Sequence, residues 1–179
     1  YMAWQDQSIS DYENRNADDY YAKTFRLYSR FLFCACLCLI LATKYVITVL
    51  MDISYHSSWY YVAPLYIGTV FSALASFIGV GYLGSKQTSK AFTTTVIAAI
   101  VNAGINIIFI PLFPDFGIAI ASLSTMISYL TLFIVRNRQT KKYFDIKTPK
   151  KEIIFFTAIN MLYATLIIKT NIVADLVLF

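Results

Sequence analysis

The sequence predicts an all-α, polytopic transmembrane bundle, and three observations carry that prediction. Of 179 residues, 58% are hydrophobic and only 14% are charged, whereas soluble domains run nearer a quarter charged. One small core cannot hide so much apolar surface, so the surplus must face lipid. Five apolar runs, 31–51, 60–83, 91–110, 117–135 and 153–168, reach or approach the roughly 20 residues that cross about 30 Å of hydrocarbon. None alternates as a barrel strand does, and a continuous run in lipid must close its hydrogen bonds as a helix. A sixth run is expected to start near Ile172, and the missing initial Met and apolar close at Phe179 suggest a piece of a longer chain.

Taken in order, each element has its own local reason. Residues 17–30 set Lys23, Arg26 and Arg30 on one helical face and Tyr21, Phe25 and Tyr28 on another, as in an amphipathic helix lying in a membrane interface. The first span carries Lys44 near its far end, together with Cys34, Cys36 and Cys38. Thiols two residues apart on a helix cannot converge on one metal, so these are apolar filler. The second span repeats small residues at Gly68, Ser72, Ala75 and Gly79. It ends in Gly79-Val80-Gly81-Tyr82-Leu83-Gly84, which has the spacing of a dinucleotide fingerprint but closes a membrane helix instead of joining a strand to one. The third span aligns Thr95, Ala99, Asn102 and Asn106 in one stripe. Pro111 and Pro114 then end that helix in a tight turn. The fourth span repeats Gly117, Ala121, Thr125 and Ser128.

Small residues let helix backbones approach in a membrane. Gly68, Ser72, Gly79, Gly117, Ala121 and Thr125 are therefore the expected helix-packing positions. Two readings stand for the Asn102 and Asn106 pair: interhelical tie or cavity lining. For Lys44 they are snorkelling to the interface or lining an anion-accepting cavity.

Thirteen of the fifteen Lys and Arg fall before the first span, between the second and third, or between the fourth and fifth. Loops 52–59 and 111–116 carry none. The positive-inside rule then makes the basic loops cytoplasmic, and anionic headgroups account for the net charge of +5 without nucleic acid. The organisation expected is a cytoplasmic or interfacial segment 1–30, a four-span bundle 31–135, a basic loop 136–152, and a further span with the start of another over 153–179. A single His, no spaced Cys/His set and no nucleophile–base constellation disfavour an enzyme and point to no metal or cofactor.

Several short motifs, soft singly and more specific in their order, resemble one family. They are Gly81-Tyr82-Leu83-Gly84-Ser85-Lys86-Gln87-Thr88, then Val101-Asn102-Ala103-Gly104-Ile105-Asn106, Ile110-Pro111, Phe116-Gly117-Ile118-Ala119-Ile120-Ala121-Ser122, and Ile127-Ser128-Tyr129. Together they resemble the C-terminal half of Wzx-type polysaccharide and O-antigen flippases, in the multidrug/oligosaccharidyl-lipid/polysaccharide exporter superfamily with its MATE-like fold. The resemblance implies a bacterial inner-membrane transporter that flips undecaprenyl-diphosphate-linked oligosaccharide by alternating access. Its partners would be that lipid-linked oligosaccharide, membrane lipids and polysaccharide polymerase or assembly proteins. On this reading Arg30, Lys44 and Lys86 are candidate diphosphate contacts. Asn102 and Asn106 would meet sugar hydroxyls or hold moving helices together. A multidrug cation exporter of the same superfamily and a noncatalytic subunit of a polysaccharide assembly complex are the alternatives.

Overall fold

Apolar segments that cannot donate or accept hydrogen bonds in lipid fold here into five long helices. The computed structural model describes residues 17–84, 87–141 and 148–177, with side chains for 20–82, 87–141 and 148–170. The helices are α1 (Ala17–Leu50), α2 (Val62–Gly84), α3 (Thr88–Leu112), α4 (Gly117–Thr140) and α5 (Lys150–Val177). All five are long and apolar enough to span a membrane, so the all-α polytopic bundle is the fold. Short 3-10 segments, Ile53–Tyr61 and Pro114–Phe116, join α1 to α2 and α3 to α4. The first is capped by Asp52, whose carboxylate accepts from the Ser54 hydroxyl at 2.7 Å and its backbone N–H at 3.0 Å. Those two bonds, the hydroxyl's first, hold the Asp52 carboxyl below the ordinary carboxylate value.

The helices pack in the order α3, α4, α2, α1, α5, with α5 also reaching α2. The centre is α2: half of its most apolar window is buried, against 6% for that of α3. Phe71, Leu74 and Ile78 of α2 form the core with Phe33 and Ile40 of α1 and Leu132 and Phe133 of α4. Phe33 also stacks on Phe156 of α5 at 5.8 Å between centroids, an aromatic pairing that adds to the area it buries.

Close approach in this bundle depends on Gly68. A Cβ built there would lie 3.1 Å from Met126 Cα on α4, so a side chain at this position would press on the α4 backbone and glycine allows the closer approach. Thr125 is half-buried on α4, and its hydroxyl donates back to the Ala121 carbonyl. Ser72 on α2 and Ala121 on α4 are also half-buried. Gly117 does not share the packing role expected of it. Its added Cβ would meet nothing nearer than Ile110 Cγ2 at 3.8 Å, an ordinary contact.

Two element boundaries and one buried face differ from the sequence reading. The stretch 17–30 is the unbroken start of α1. Its aromatic face is buried by protein: Phe25 and Tyr28 lie 5.3 and 5.5 Å from the Phe77 ring of α2, and Tyr21 is 1% exposed. At the other end, α4 runs on to Thr140 and takes Arg136 and Arg138 into the helix. Finally, α5 continues to Val177 with no turn between Ile168 and Ile172, so the expected start of a sixth span belongs to the fifth helix.

Two glycine substitutions separate these roles. Gly68→Val should destabilise the bundle by about 1–3 kcal/mol, the usual cost of overpacking. Gly117→Ala should stay within about 0.5 kcal/mol of wild type. Thermal unfolding of the purified protein in detergent reads both.

Candidate functional site

Polar side chains inside a membrane bundle must meet protein or water, so their partners reveal what they do. Asn102 and Asn106 of α3 lie four residues apart and face α4. Asn102 Nδ2 lies 3.3 Å from both Ser124 Oγ and Thr125 Oγ1, and Asn106 Nδ2 donates to Asn102 Oδ1 at 3.1 Å. Ser124 Oγ is 2.9 Å from Asn106 Oδ1 and also 2.9 Å from the Ala121 carbonyl; its single proton serves one of them at a time. One turn beyond, Ser128 Oγ donates to the Ala98 carbonyl at 2.7 Å. This network ties α3 to α4, so the interhelical reading is the one the geometry supports.

A second polar centre, at the basic end, is built on Arg136, which the sequence reading left in a loop. From α4 its guanidinium reaches between α2 and α3. Nε donates to Thr94 Oγ1 at 3.1 Å, Nη2 to Thr95 Oγ1 at 3.1 Å and Nη1 to the Ala75 carbonyl at 3.2 Å. A Cβ on Gly79 would sit 3.0 Å from Nη1. Gly79 thus makes room for a cation, where the sequence suggested direct backbone approach. Beside it Tyr82 Oη donates to Gln139 Oε1 at 3.0 Å.

The proposed diphosphate contacts are not gathered together. Arg30 holds Glu152 of α5, with Nη2 and Nε each 3.0 Å from Oε2, while Arg26 Nε lies 3.5 Å from Oε1. Two guanidinium groups therefore share one carboxylate. Lys44 is half-buried on the same helix, its Nζ 5.6 Å from the centroid of Trp59, within cation–π range. Fourteen helical residues separate Arg30 from Lys44, about 21 Å along the axis. One diphosphate cannot touch both at once. Lys86 lies outside the described residues.

Sequence reasoning passed over Arg136 and Asn160. Asn160 is fully buried on α5; its Nδ2 donates to the Phe156 carbonyl at 2.9 Å, and its Oδ1 has no partner among the described residues. A polar residue in the middle of an apolar run was the available signal for Asn160. For Arg136 the signal was weaker, because a basic residue at a span end reads equally well as topology.

Truncating these ties has distinct expected costs. Asn102→Leu should lower stability by about 1–2 kcal/mol, the upper range for interhelical hydrogen bonds in membranes. Arg136→Ala should cost about 1.5–3 kcal/mol, and Arg136→Lys should restore little, since an ammonium lacks the fork that spans three acceptors on two helices. Thermal unfolding in detergent measures each.

Comparison with known proteins bears on the whole arrangement. A family model described as "Lipid II flippase MurJ" matches residues 61–178, more than half of the chain. No curated protein and no solved structure matches. The match supports a flippase of lipid-linked precursors within the multidrug/oligosaccharidyl-lipid/polysaccharide exporter superfamily, without singling out the Wzx-type branch that the motifs resemble. Proteins of this kind are multi-pass membrane transporters and not enzymes. By residues 61–178, from the start of α2 to the end of α5, the chain belongs to the lipid II flippase MurJ family.

Proposed function

We propose that this chain forms part of a transporter that turns over lipid II, the lipid-linked peptidoglycan precursor, across the bacterial inner membrane by alternating access. The family match over 61–178 carries the proposal. The other cargo, an undecaprenyl-diphosphate-linked oligosaccharide for surface polysaccharide, rests on the motif resemblance alone. Physically both cargoes pose one problem: sugar and diphosphate must cross shielded from hydrocarbon while the polyprenyl tail stays in it.

The basic ends of the helices are placed in the cytoplasm by the positive-inside rule. Lys23, Arg26 and Arg30 near the start of α1, and Arg138 and Lys141 at the end of α4, lie on that side. There Arg30 receives the diphosphate. Its side chain is 52% exposed, and it shares Glu152 with Arg26, so the cluster keeps a net positive charge. An incoming diphosphate can compete for the guanidinium fork with charge-assisted bonds. Lys86, which follows α2 in the sequence, is the further candidate for this contact. Lys44, one bilayer leaflet away along α1, meets the cargo later in the cycle. Asn102 and Asn106 keep α3 and α4 moving as one body, which alternating access between rigid repeats requires.

Complementation tests this. The full-length gene should restore growth to a bacterium depleted of its lipid II flippase, and should fail to restore surface polymer in one lacking its polysaccharide flippase. The reverse pattern would transfer the cargo to oligosaccharide lipid; restoration in neither, with normal membrane insertion, would overturn the transport reading. Arg30→Ala and Lys44→Ala should each lower lipid II turnover by about 10–100-fold at normal protein level, the worth of one charged hydrogen bond. Unchanged turnover would return either residue to a purely structural role.

A further inference from the structure

Beyond these polar centres the described residues enclose a large groove. While α5 leans on α1 and α2, its contact with α4 is slight. The gap between them is a groove of about 630 Å³, within the roughly 300–1,000 Å³ of small-molecule sites. Its floor is Phe71 of α2, and its walls are Phe133 and Ile134 of α4 facing Ile154 and Met161 of α5. At the basic end the lining changes character. Arg138 in the last turn of α4 and Lys141 at its C-cap face Lys150 in the first turn of α5 across the mouth. Asn137 Nδ2 donates to Thr148 Oγ1 at 3.3 Å and fixes the spacing of the two helices there. Among the described residues no acidic side chain lines the groove, and none of the three cations is ion-paired.

An apolar slot opening between membrane helices, closed at one level by three cations that no described carboxylate pairs, matches a molecule with an anionic head and a hydrocarbon tail. Ion-paired Arg26 and Arg30 lie on the α1 side of α5 and leave this mouth untouched. Basic pockets between helices at that depth bind phospholipid headgroups. We infer that the α4–α5 groove seats one anionic glycerophospholipid of the leaflet facing the basic loops. Its phosphate lies between Arg138, Lys141 and Lys150, and an acyl chain runs down the slot towards Met161. The occupant is a resident lipid of the bilayer and not the cargo. It fills the gap that α5 leaves beside α4 and sets their separation along the apolar slot, beyond the Asn137–Thr148 contact.

The test is native mass spectrometry of the full-length protein in mild detergent, titrated with phosphatidylglycerol or with phosphatidylcholine of the same chains. Wild type should retain phosphatidylglycerol in preference. The double variant Lys141→Gln, Lys150→Gln should lose about thirtyfold in phosphatidylglycerol affinity, the product of two basic contacts near a membrane surface. The charge-matched pair Lys23→Gln, Lys169→Gln, exposed and outside the groove, should keep wild-type affinity. Ala158→Trp, which fills the apolar slot from a lining position, should weaken both lipids. Equal retention of the two lipids by wild type, or unchanged selectivity in the double variant, would overturn the inference. So would one-for-one displacement of phosphatidylglycerol by a polyprenyl diphosphate, which would give the groove to the cargo. No retained lipid, with Lys141 and Lys150 shielded from an amine-reactive label, would assign it to a protein segment and likewise overturn it. Because no arm reads turnover, failure here is distinguishable from failure of the transport reading.

Discussion

The close contact between α2 and α4 is the feature on which the rest of the bundle depends. In lipid there is no hydrophobic force to drive helices together, so association rests on backbone proximity and on polar side chains that find partners. Gly68 supplies the first by letting Met126 Cα approach. Gly79 supplies room for the second, since the guanidinium of Arg136 lies where a side chain there would be. Once α4 is held on α2 in this register, Ser124 and Thr125 face outward towards α3 and accept it through Asn102. The attachment of α3 thus follows from that of α4, because its direct contact with α2 is minor.

Polar groups in this protein therefore divide by what they touch. Asn102, Asn106, Ser124 and Ser128 spend their hydrogen bonds on neighbouring helices, and so does Arg136. The groups that remain exposed enough to meet cargo are at helix ends, above all the Arg26 and Arg30 pair around Glu152. A carboxylate in that position is a natural placeholder for phosphate, since both present a pair of anionic oxygens that accept from the same guanidinium fork. An exposed pair of this kind is worth little to stability, which makes its exchange for a ligand inexpensive. On the proposed function, cargo contact and integrity of the bundle thus fall to different residues.

The two sides of the bundle differ in the same way. On one, α3 and α4 form a unit joined by side-chain hydrogen bonds; on the other, α5 is held by aromatic stacking at Phe33 and Phe156 and by the Glu152 ion pairs. Its slight contact with α4 leaves the basic-mouthed groove. A helix held by exposed ion pairs and one lateral face is the element best able to shift, and a lipid wedged beside it would tune that freedom.

Much of this was legible in the sequence, for a simple reason. Hydrocarbon admits so few backbone solutions that apolar run length alone determined five helices, and the positions of Lys and Arg determined which ends lie together. Gly68, Asn102 and Asn106, which stand out in the sequence as small or amide side chains inside apolar runs, each meet α4 in the structure. What the one-dimensional pattern could not decide was the partner of each group. Whether Gly79 met backbone or guanidinium, whether Gly117 met anything, whether Arg136 lay in a loop or between helices, and whether residues 17–30 buried their aromatics in headgroups or in α2 all depend on helix order and rotation. Those are set by packing across distant parts of the chain, as in the 61 residues between Ala75 and Arg136, and only the tertiary structure decided them.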